Sequence, residues 1–493
     1  MRRREHSHRT AIRRRLSMLC GAVVGLAIIA AGATGAGPSP ASAQSATGPH
    51  SATFATSLRY VETFYPRWFT YQQSARGISR NDLVGPEDIN PLYHSVVAIN
   101  DDTLYVSAFV DRAFEPAILT IPPPCDPLDP TNCVTYSLLT LDVYGGIFET
   151  GIPNTKGGVY ALIAPGEAPP SIPDVTLTPI VVQDAFTVFI FRADKFSPTG
   201  QDQKLAAEAF RHNLHLAPLS AFVRDPLAGQ ATIKPIVPDF AIPFKGIADG
   251  LITRGGQDAI LFLKQLQEAV ESPTTPPLTR SEQALADTFN RLFGDGQFNP
   301  DSPVEQGRKS DFILGAQSAH NRIVSNYLNH TGRTNWITFL NIGNWGRNYL
   351  DRSSITEFCQ YCNNHSAAAY FHAFKDGQGA TLDSSNGNGY ILTFSKKQIP
   401  QANRFWSLTA YVPDSIELVE NPDNKYVVAS YTQGLVTQNG SISIYMFPEL
   451  PPGVPKANWL PVPRGQFNVM LRVYGPEGSV ARGTYVPPAI QAQ

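Results

Sequence analysis

Beyond its first fifty residues the sequence has no long uncharged apolar run, so no later segment reads as a membrane-spanning helix. Charge is sparse as well, at 16% of residues, and no basic cluster occurs outside the N-terminus, which argues against a nucleic-acid partner. Cysteine is scarce, five in 493 residues, too few for a fold held mainly by disulfides. The nucleophile elbow G-x-S-x-G, the zinc motif H-E-x-x-H, the P-loop and a G-x-G-x-x-G opening a helix are all missing. Hydrolase chemistry of the α/β type and ATP or NAD binding are thereby disfavoured. No cofactor is called for by any motif.

What is present begins with export. Seven arginines stand between Arg2 and Arg15 against one acid, Glu5, and an apolar run from Met18 to about Ala33 follows. A Pro/Ser/Ala stretch then ends in Ala41-Ser42-Ala43, so residues 1–43 read as a secretory signal peptide cut after Ala43. Arg13-Arg14-Arg15-Leu16 leaves the twin-arginine route open beside the general one. Losing seven of the 39 basic residues and one of the 41 acidic ones leaves a net charge near −8. Such a chain favours neutral or cationic partners, or ones recognised by shape. Four cysteines remain in the oxidising compartment that export implies. Two disulfides are expected, most simply Cys125–Cys133 and Cys359–Cys362.

The mature chain is too long for a single core, and composition divides it into an N-terminal β-rich domain (44–195), a helical connecting segment (196–345) and a C-terminal β domain (346–493). Thr103–Val110, Ala117–Ile121, Tyr136–Val143, Val159–Ala164 and Phe186–Arg192 alternate with a period near two, which predicts antiparallel strands. A helix is expected over Thr56–Gln73. In the middle, Ile260, Leu263, Leu266 and Val270 share one helical face, and Thr279-Arg280-Ser281-Glu282 forms a capping box before a second helix. Ser310–Tyr327 predicts a third. The C-terminal block alternates again at Tyr390–Phe394, Phe405–Tyr411, Ser441–Met446 and Phe467–Tyr474, with a hairpin turn at Asn439-Gly440. The tail after Tyr485 reads as poorly ordered. The expected fold is mainly β (α+β): two antiparallel β-sandwich or jelly-roll-like domains joined by a helical segment.

Two strings resemble a known pair of bacterial domains. Asn100-Asp101-Asp102-Thr103-Leu104-Tyr105, then Glu115-Pro116 and Leu141-Asp142-Val143-Tyr144, are similar to the N-terminal domain of unknown function numbered 1254. Phe405-Trp406-Ser407-Leu408-Thr409-Ala410-Tyr411, Asn421-Pro422, Asn458-Trp459-Leu460-Pro461-Val462-Pro463 and Leu471-Arg472-Val473-Tyr474-Gly475-Pro476 are similar to the partner domain numbered 1214. The resemblance implies two β-sandwich domains, the second jelly-roll-like, in an exported protein without an agreed activity. This chain has Lys425 where the family favours arginine and Asn439 where it favours aspartate.

Candidate site residues follow from chemistry. Asp102 and Asp142 are the candidate acid/base pair of a glycosidase-like site, if their separation allows it. Tyr105 and Tyr144 would position substrate, with Tyr144 sharing a strand face with Asp142. Adjacent residues on a strand point opposite ways, so Asp101 and Asp102 cannot serve one site together. Trp459 in its proline-rich loop could stack on a sugar, Arg472 could anchor an anion, and Trp406 reads as core. Tyr411 and Tyr474 are further aromatic candidates, and Arg352 and Arg404 further anchors. His212 and His215, three apart on an expected helix, could ligate a metal, although no third ligand follows and no metal site is expected. His94 beside Tyr93, and His372, are candidate general bases. The leading expectation is an exported protein that binds, and in addition could process, a glycan or cell-envelope ligand. Hydrolysis of a small ester or amide and a purely structural envelope role are the competing classes.

Overall fold

Helix and strand contribute almost equally to the structure, 28% and 27% of the chain, because the helices form a full layer and not merely a connection. The expectation of a mainly β protein is corrected to mixed α+β. The computed structural model describes residues 51–75, 79–92, 98–126, 129–235, 252, 257–274, 276–412 and 417–493. All lie in one compact unit, His50–Gln493. The signal-peptide segment and the pair Tyr93-His94 fall outside the described residues.

The helices are α1 (Ala52–Ser74), α2 (Lys204–His212), α3 (Leu219–Arg224), α4 (Gln257–Glu271), α5 (Arg280–Phe293), α6 (Pro303–Leu328), α7 (Tyr349–Cys359) and α8 (Gly478–Ala481). Ser51 caps α1 by accepting the Phe54 N–H. Tyr60, Val61, Phe64, Tyr65, Trp68 and Phe69 of α1 are all buried. An apolar surface that wide needs partners on several sides. α4, α5, α6 and α7 gather round α1 and supply them. The Thr279–Glu282 capping box starts α5 as the sequence predicts.

In the N-terminal half the strands are β1 (Val84–Pro86), β2 (Thr103–Asp111), β3 (Ala117–Ile121), β4 (Cys125–Asp126), β5 (Asp129–Cys133) and β6 (Tyr136–Leu141). They continue with β7 (Gly158–Ile163), β8 (Leu177–Val181), β9 (Phe186–Asp194), β10 (His215–Pro218) and β11 (Thr232–Lys234). One sheet has the order β11-β1-β2-β9-β6 and a second β10-β3-β7-β8. All nine residues of β9 are buried, and their alternation says why. Phe186, Val188 and Ile190 face the helical layer, whereas Phe189, Phe191 and Ala193 face the second sheet. The stretch read as a helical connection therefore contains β10 and β11, which return to the N-terminal sheets. Their brevity, four and three residues, hid them from a periodicity argument.

The C-terminal half contributes β12 (Ala368–Ala373), β13 (Tyr390–Phe394), β14 (Ala402–Tyr411), β15 (Val427–Ala429), β16 (Ile442–Phe447), β17 (Trp459–Pro461), β18 (Asn468–Pro476) and β19 (Gln491–Ala492). They form two sheets, β12-β18-β14-β15 and β17-β16-β13-β19, which share one apolar core. Asn439 and Gly440 both have positive φ, and Gln438 and Ser441 exchange both backbone hydrogen bonds around them, as a type I′ hairpin requires. The tail is ordered, contrary to its composition. Ile490 is buried, the Trp336 indole N–H donates to Pro488 O at 2.8 Å, and β19 pairs with β13. Most pairings are antiparallel, with β1–β11, β7–β8 and β16–β17 parallel.

The β12-β18-β14 sheet turns Trp406, Leu408, Val469, Leu471 and Val473 toward its partner sheet. Its other face carries Tyr370, Ser407, Tyr411, Arg472 and Tyr474, with Tyr370, Arg472 and Ser407 abreast on three neighbouring strands. That face meets the N-terminal half. The polar groups gathered there define the first region of interest.

Candidate functional site

Asn100-Asp101-Asp102 precedes β2, and its two carboxylates diverge as adjacent extended residues must. Asp102 points into the contact between the halves and is almost wholly buried. Its two oxygens accept from Ser407 Oγ (2.7 Å) and from Tyr431 Oη. Asp101 points the other way, to Lys195 Nζ at 2.5 Å. The sequence motif thus serves two places.

Around Asp102 donors and acceptors from both halves interlock. Arg472 donates to Tyr411 Oη (2.8 Å) and to Ala98 O, and Tyr411 Oη donates to Ile99 O at 2.6 Å. Arg404 grips Asp194 through both carboxylate oxygens, a two-pronged pairing that fixes register. Asn100 donates to Tyr474 Oη and accepts from Tyr105 Oη at 2.8 Å. Arg192 donates to Asn363 Oδ1 and to Tyr361 O, and lies 5.4 Å above the Tyr105 ring. Burial raises the Asp102 pKa, with the Tyr431 and Ser407 hydrogen bonds and the Arg472 charge opposing it. Burial likewise lifts Asp194 to about 6 against the pull of Arg404. These groups satisfy one another and most of them are buried, so the network reads as an internal lock.

Beside the lock, at the Asp101 end, opens a cleft of about 340 Å³ lined by Glu87, Asp88, Asn90, Leu104, Lys195, Lys204 and Glu208. The ends of β1 and β9 and the start of β2 form its floor, and α2, one turn of which spans Lys204 to Glu208, forms a wall. Lys195 Nζ bridges Asp88 (2.8 Å) and Asp101 (2.5 Å) while itself almost fully buried. Burial pushes its amine down, but the two carboxylates outweigh that and its pKa stands raised. The two carboxylates differ in burial, Asp101 being mostly covered and Asp88 exposed. The deeper Asp101 is lifted by burial to about 6, whereas the more open Asp88, also pushed up by burial, is pulled below its ordinary value by Lys195. The cleft's volume falls at the small end for ligand sites, about 300–1,000 Å³.

Other expected site residues lie elsewhere. Asp102 O accepts from Lys195 N beyond one end of β9, whereas Leu141, next to Asp142, pairs with Val188 near the other end. Eight residues of strand at ~3.3 Å each put the two aspartates roughly 25 Å apart, well beyond the ~5–10 Å of a glycosidase pair. They cannot work together. Asp142 closes a turn, accepting from the N–H groups of Tyr144 (2.7 Å) and Gly146 (2.8 Å), so it does not share a strand face with Tyr144. Burial lifts it to about 6. The Tyr144 ring is buried between the guanidiniums of Arg67 (4.7 Å) and Arg352 (4.1 Å), and Tyr105 is tied to Asn100.

Trp459 is no open platform: it is buried, and its indole N–H donates to Phe447 O at 2.9 Å. Arg472 is buried in the lock and cannot anchor an external anion. His212 ends α2 and is exposed, whereas His215 begins β10 and bonds Leu227 O, so the two do not share a helix face. Asn213 and Leu214 break the helix between them. Both ring nitrogens of buried His372 are engaged, by Tyr327 Oη and Asn468 Oδ1 at 2.8 Å each, which leaves it no proton-transfer task with an outside ligand. Both disulfides pair locally, Cys125–Cys133 and Cys359–Cys362. Among the described residues no three His, Cys, Asp or Glu side chains gather as for a metal ion, and no helix is long and apolar enough to cross a membrane.

Lys195, Asp88, Tyr431 and Ser407 escaped the sequence reading. A single lysine after Arg192-Ala193-Asp194 carries no motif. The one available signal was that this cluster ends a long apolar strand, where buried charge needs partners.

Fold and site together define a mixed α+β protein with two β-rich modules, a helical layer and a small polar cleft in the first module. The chain belongs to the two-domain family that carries the models described as proteins of unknown function, DUF1254 over residues 81–218 and DUF1214 over residues 367–478. The first match contains the whole cleft. The crystal structure of the VPA0106 protein from Vibrio parahaemolyticus is similar over 90% of this chain and all of that one, at 18% identity and a TM-score of 0.55, a likeness of fold. An uncharacterized protein from Burkholderia cenocepacia aligns over 90% of this chain and 94% of its own at 11% identity, with a TM-score of 0.39. No curated protein matches.

Proposed function

We propose that this is an exported glycan-binding protein whose ligand site is the cleft over Lys195. The observation that supports it is the lining itself: five charged side chains and Asn90 around a concave space of about 340 Å³. Carboxylates and amides accept from sugar hydroxyls, ammonium groups donate to them, and Leu104 offers an apolar patch to a ring face. The aromatic candidates Trp406, Trp459, Tyr411 and Tyr474 are buried and offer no open stacking surface. The two disulfides are compatible with the export that the N-terminal sequence predicts. Each pair of sheets, under this reading, is a sandwich, the C-terminal one jelly-roll-like.

The test is retention of the purified protein on a panel of glycans and insoluble polysaccharides, beside Asn90→Ala and Glu208→Gln. Selective retention that either cleft variant weakens supports the proposal. Retention of wild type and both variants to equal extents would move the ligand away from the cleft, and no retention of any form would end the carbohydrate reading.

A further inference from the structure

The cleft's charges are not balanced as a ligand would meet them. Lys195 counts little toward the opening, because its side chain is almost fully buried and its ammonium is held by Asp88 and Asp101. Lys204 is the exposed cation of the lining, and its ammonium faces the Phe196 ring at 5.4 Å. Against it stand three carboxylates, Glu87, Asp88 and Glu208, with Glu87 and Asp88 exposed. The Asp88 carboxyl is held below its ordinary pKa by Lys195 despite the opposing effect of burial, so it stays ionised in mild acid. With Asp101 behind Lys195 and the buried Arg211 guanidinium on the Pro86 and Glu87 carbonyls, the site holds four acids against two lysines and one arginine, and the three lining carboxylates carry its excess negative charge.

Resting on the glycan reading of this cleft, we infer that its preferred ligand carries a positive charge: a sugar with a free amine, as in de-acetylated hexosamine oligomers. The ring hydroxyls meet Asn90 and the carboxylates. The ammonium pairs with the lining carboxylates Asp88 and Glu208, which a neutral sugar can meet only through hydrogen bonds. An anionic sugar such as a uronate is repelled by the same groups. A mature chain near −8 overall draws such a ligand toward it rather than away.

Titration calorimetry on the purified full-length protein, with oligomers of glucosamine, N-acetylglucosamine, glucose and glucuronate, tests the inference. Glucosamine oligomers should bind at least about threefold more tightly than their N-acetylated counterparts, the size expected of one partly exposed ion pair. That preference should shrink in about 1 M salt, where the screening length falls to ~3 Å. Glu208→Gln should reduce the preference, and Lys204→Gln should enlarge it. Both changes lie at solvent-facing positions outside the buried core. Equal or tighter binding of the acetylated or neutral oligomers overturns the amine preference while leaving a glycan site in place. A preference indifferent to both variants overturns the placement. Failure of all four oligomers to bind ends the glycan reading itself.

Discussion

Replacing Asp102 separates two explanations of how the halves are held together. The aspartate is buried, and Ser407 Oγ and Tyr431 Oη both donate to it. In Asp102→Ala two buried hydroxyls lose their acceptor, at about 1–3 kcal/mol each, and Arg472 loses its nearby negative charge. The expected loss is about 3–5 kcal/mol. In Asp102→Asn the side-chain oxygen still accepts one hydroxyl, and the other can turn and accept from the new amide. Burial already raises the native aspartate's pKa, so its charge is held at a cost that Asn does not incur. The expected loss is therefore below about 1.5 kcal/mol. Urea unfolding gives the ranking, and hydrogen exchange over residues 98–106 and 402–411 locates it. Equal damage from both variants would refute the reasoning, because the ion and not its hydrogen bonds would then hold the interface. A loss under about 1 kcal/mol in Asp102→Ala would refute the lock altogether.

The remaining predictions are simpler. Asp142 has a native pKa of about 6, above its unfolded value, so the native state binds its proton more tightly and loses stability from this group as pH rises through about 4 to 6. Asp142→Asn does not titrate yet can accept the same two backbone N–H groups; its melting temperature relative to wild type should rise from pH 4 to pH 7, and a flat difference would disprove the assignment. Trp459→Ala should cost about 3–5 kcal/mol by emptying a buried site, with glycan affinity of the folded fraction unchanged. A selective loss of binding in a fully stable variant would return Trp459 to the ligand site. Replacing Cys359 and Cys362 together by serine should cost roughly 2 kcal/mol through the short loop they close, measured by thermal unfolding.

How much of this was legible in the sequence depends on whether the signal was local. Strand alternation at Thr103–Val110 and Phe186–Arg192, the Thr279 capping box and the Asn439-Gly440 turn are set by neighbours within a few residues, and they appear where expected, the two strands running one and two residues longer. The two-module family was also readable, since its motifs are contiguous strings. The burial of Trp459 and Arg472 was not. A tryptophan in a proline-rich stretch and an arginine in a strand look the same in sequence whether they face solvent or a second module, and contacts 374 residues apart, such as Arg472 to Ala98, settle which. The separation of Asp102 from Asp142 depends on sheet register, which forty residues of intervening chain do not encode locally.

The two roles of Asn100-Asp101-Asp102 follow from one geometric fact. Because successive extended residues point to opposite sides, the chain entering β2 can place one carboxylate behind the cleft lysine, Lys195, and the next in the lock without a further element. Lys195 completes the arrangement from the end of β9: its side chain reaches Asp101 while its backbone N–H donates to Asp102 O at 3.0 Å. The cleft floor is therefore braced by the same pairing that presents Asp102 to Ser407 and Tyr431. A ligand that drew Asp88 away from Lys195 would leave that lysine leaning on Asp101 alone, with one buried ion pair where there were two interactions. Hydrogen exchange at residues 98–106 therefore checks the binding experiments as well as the stability ones: a ligand that draws Asp88 from Lys195 should change exchange there.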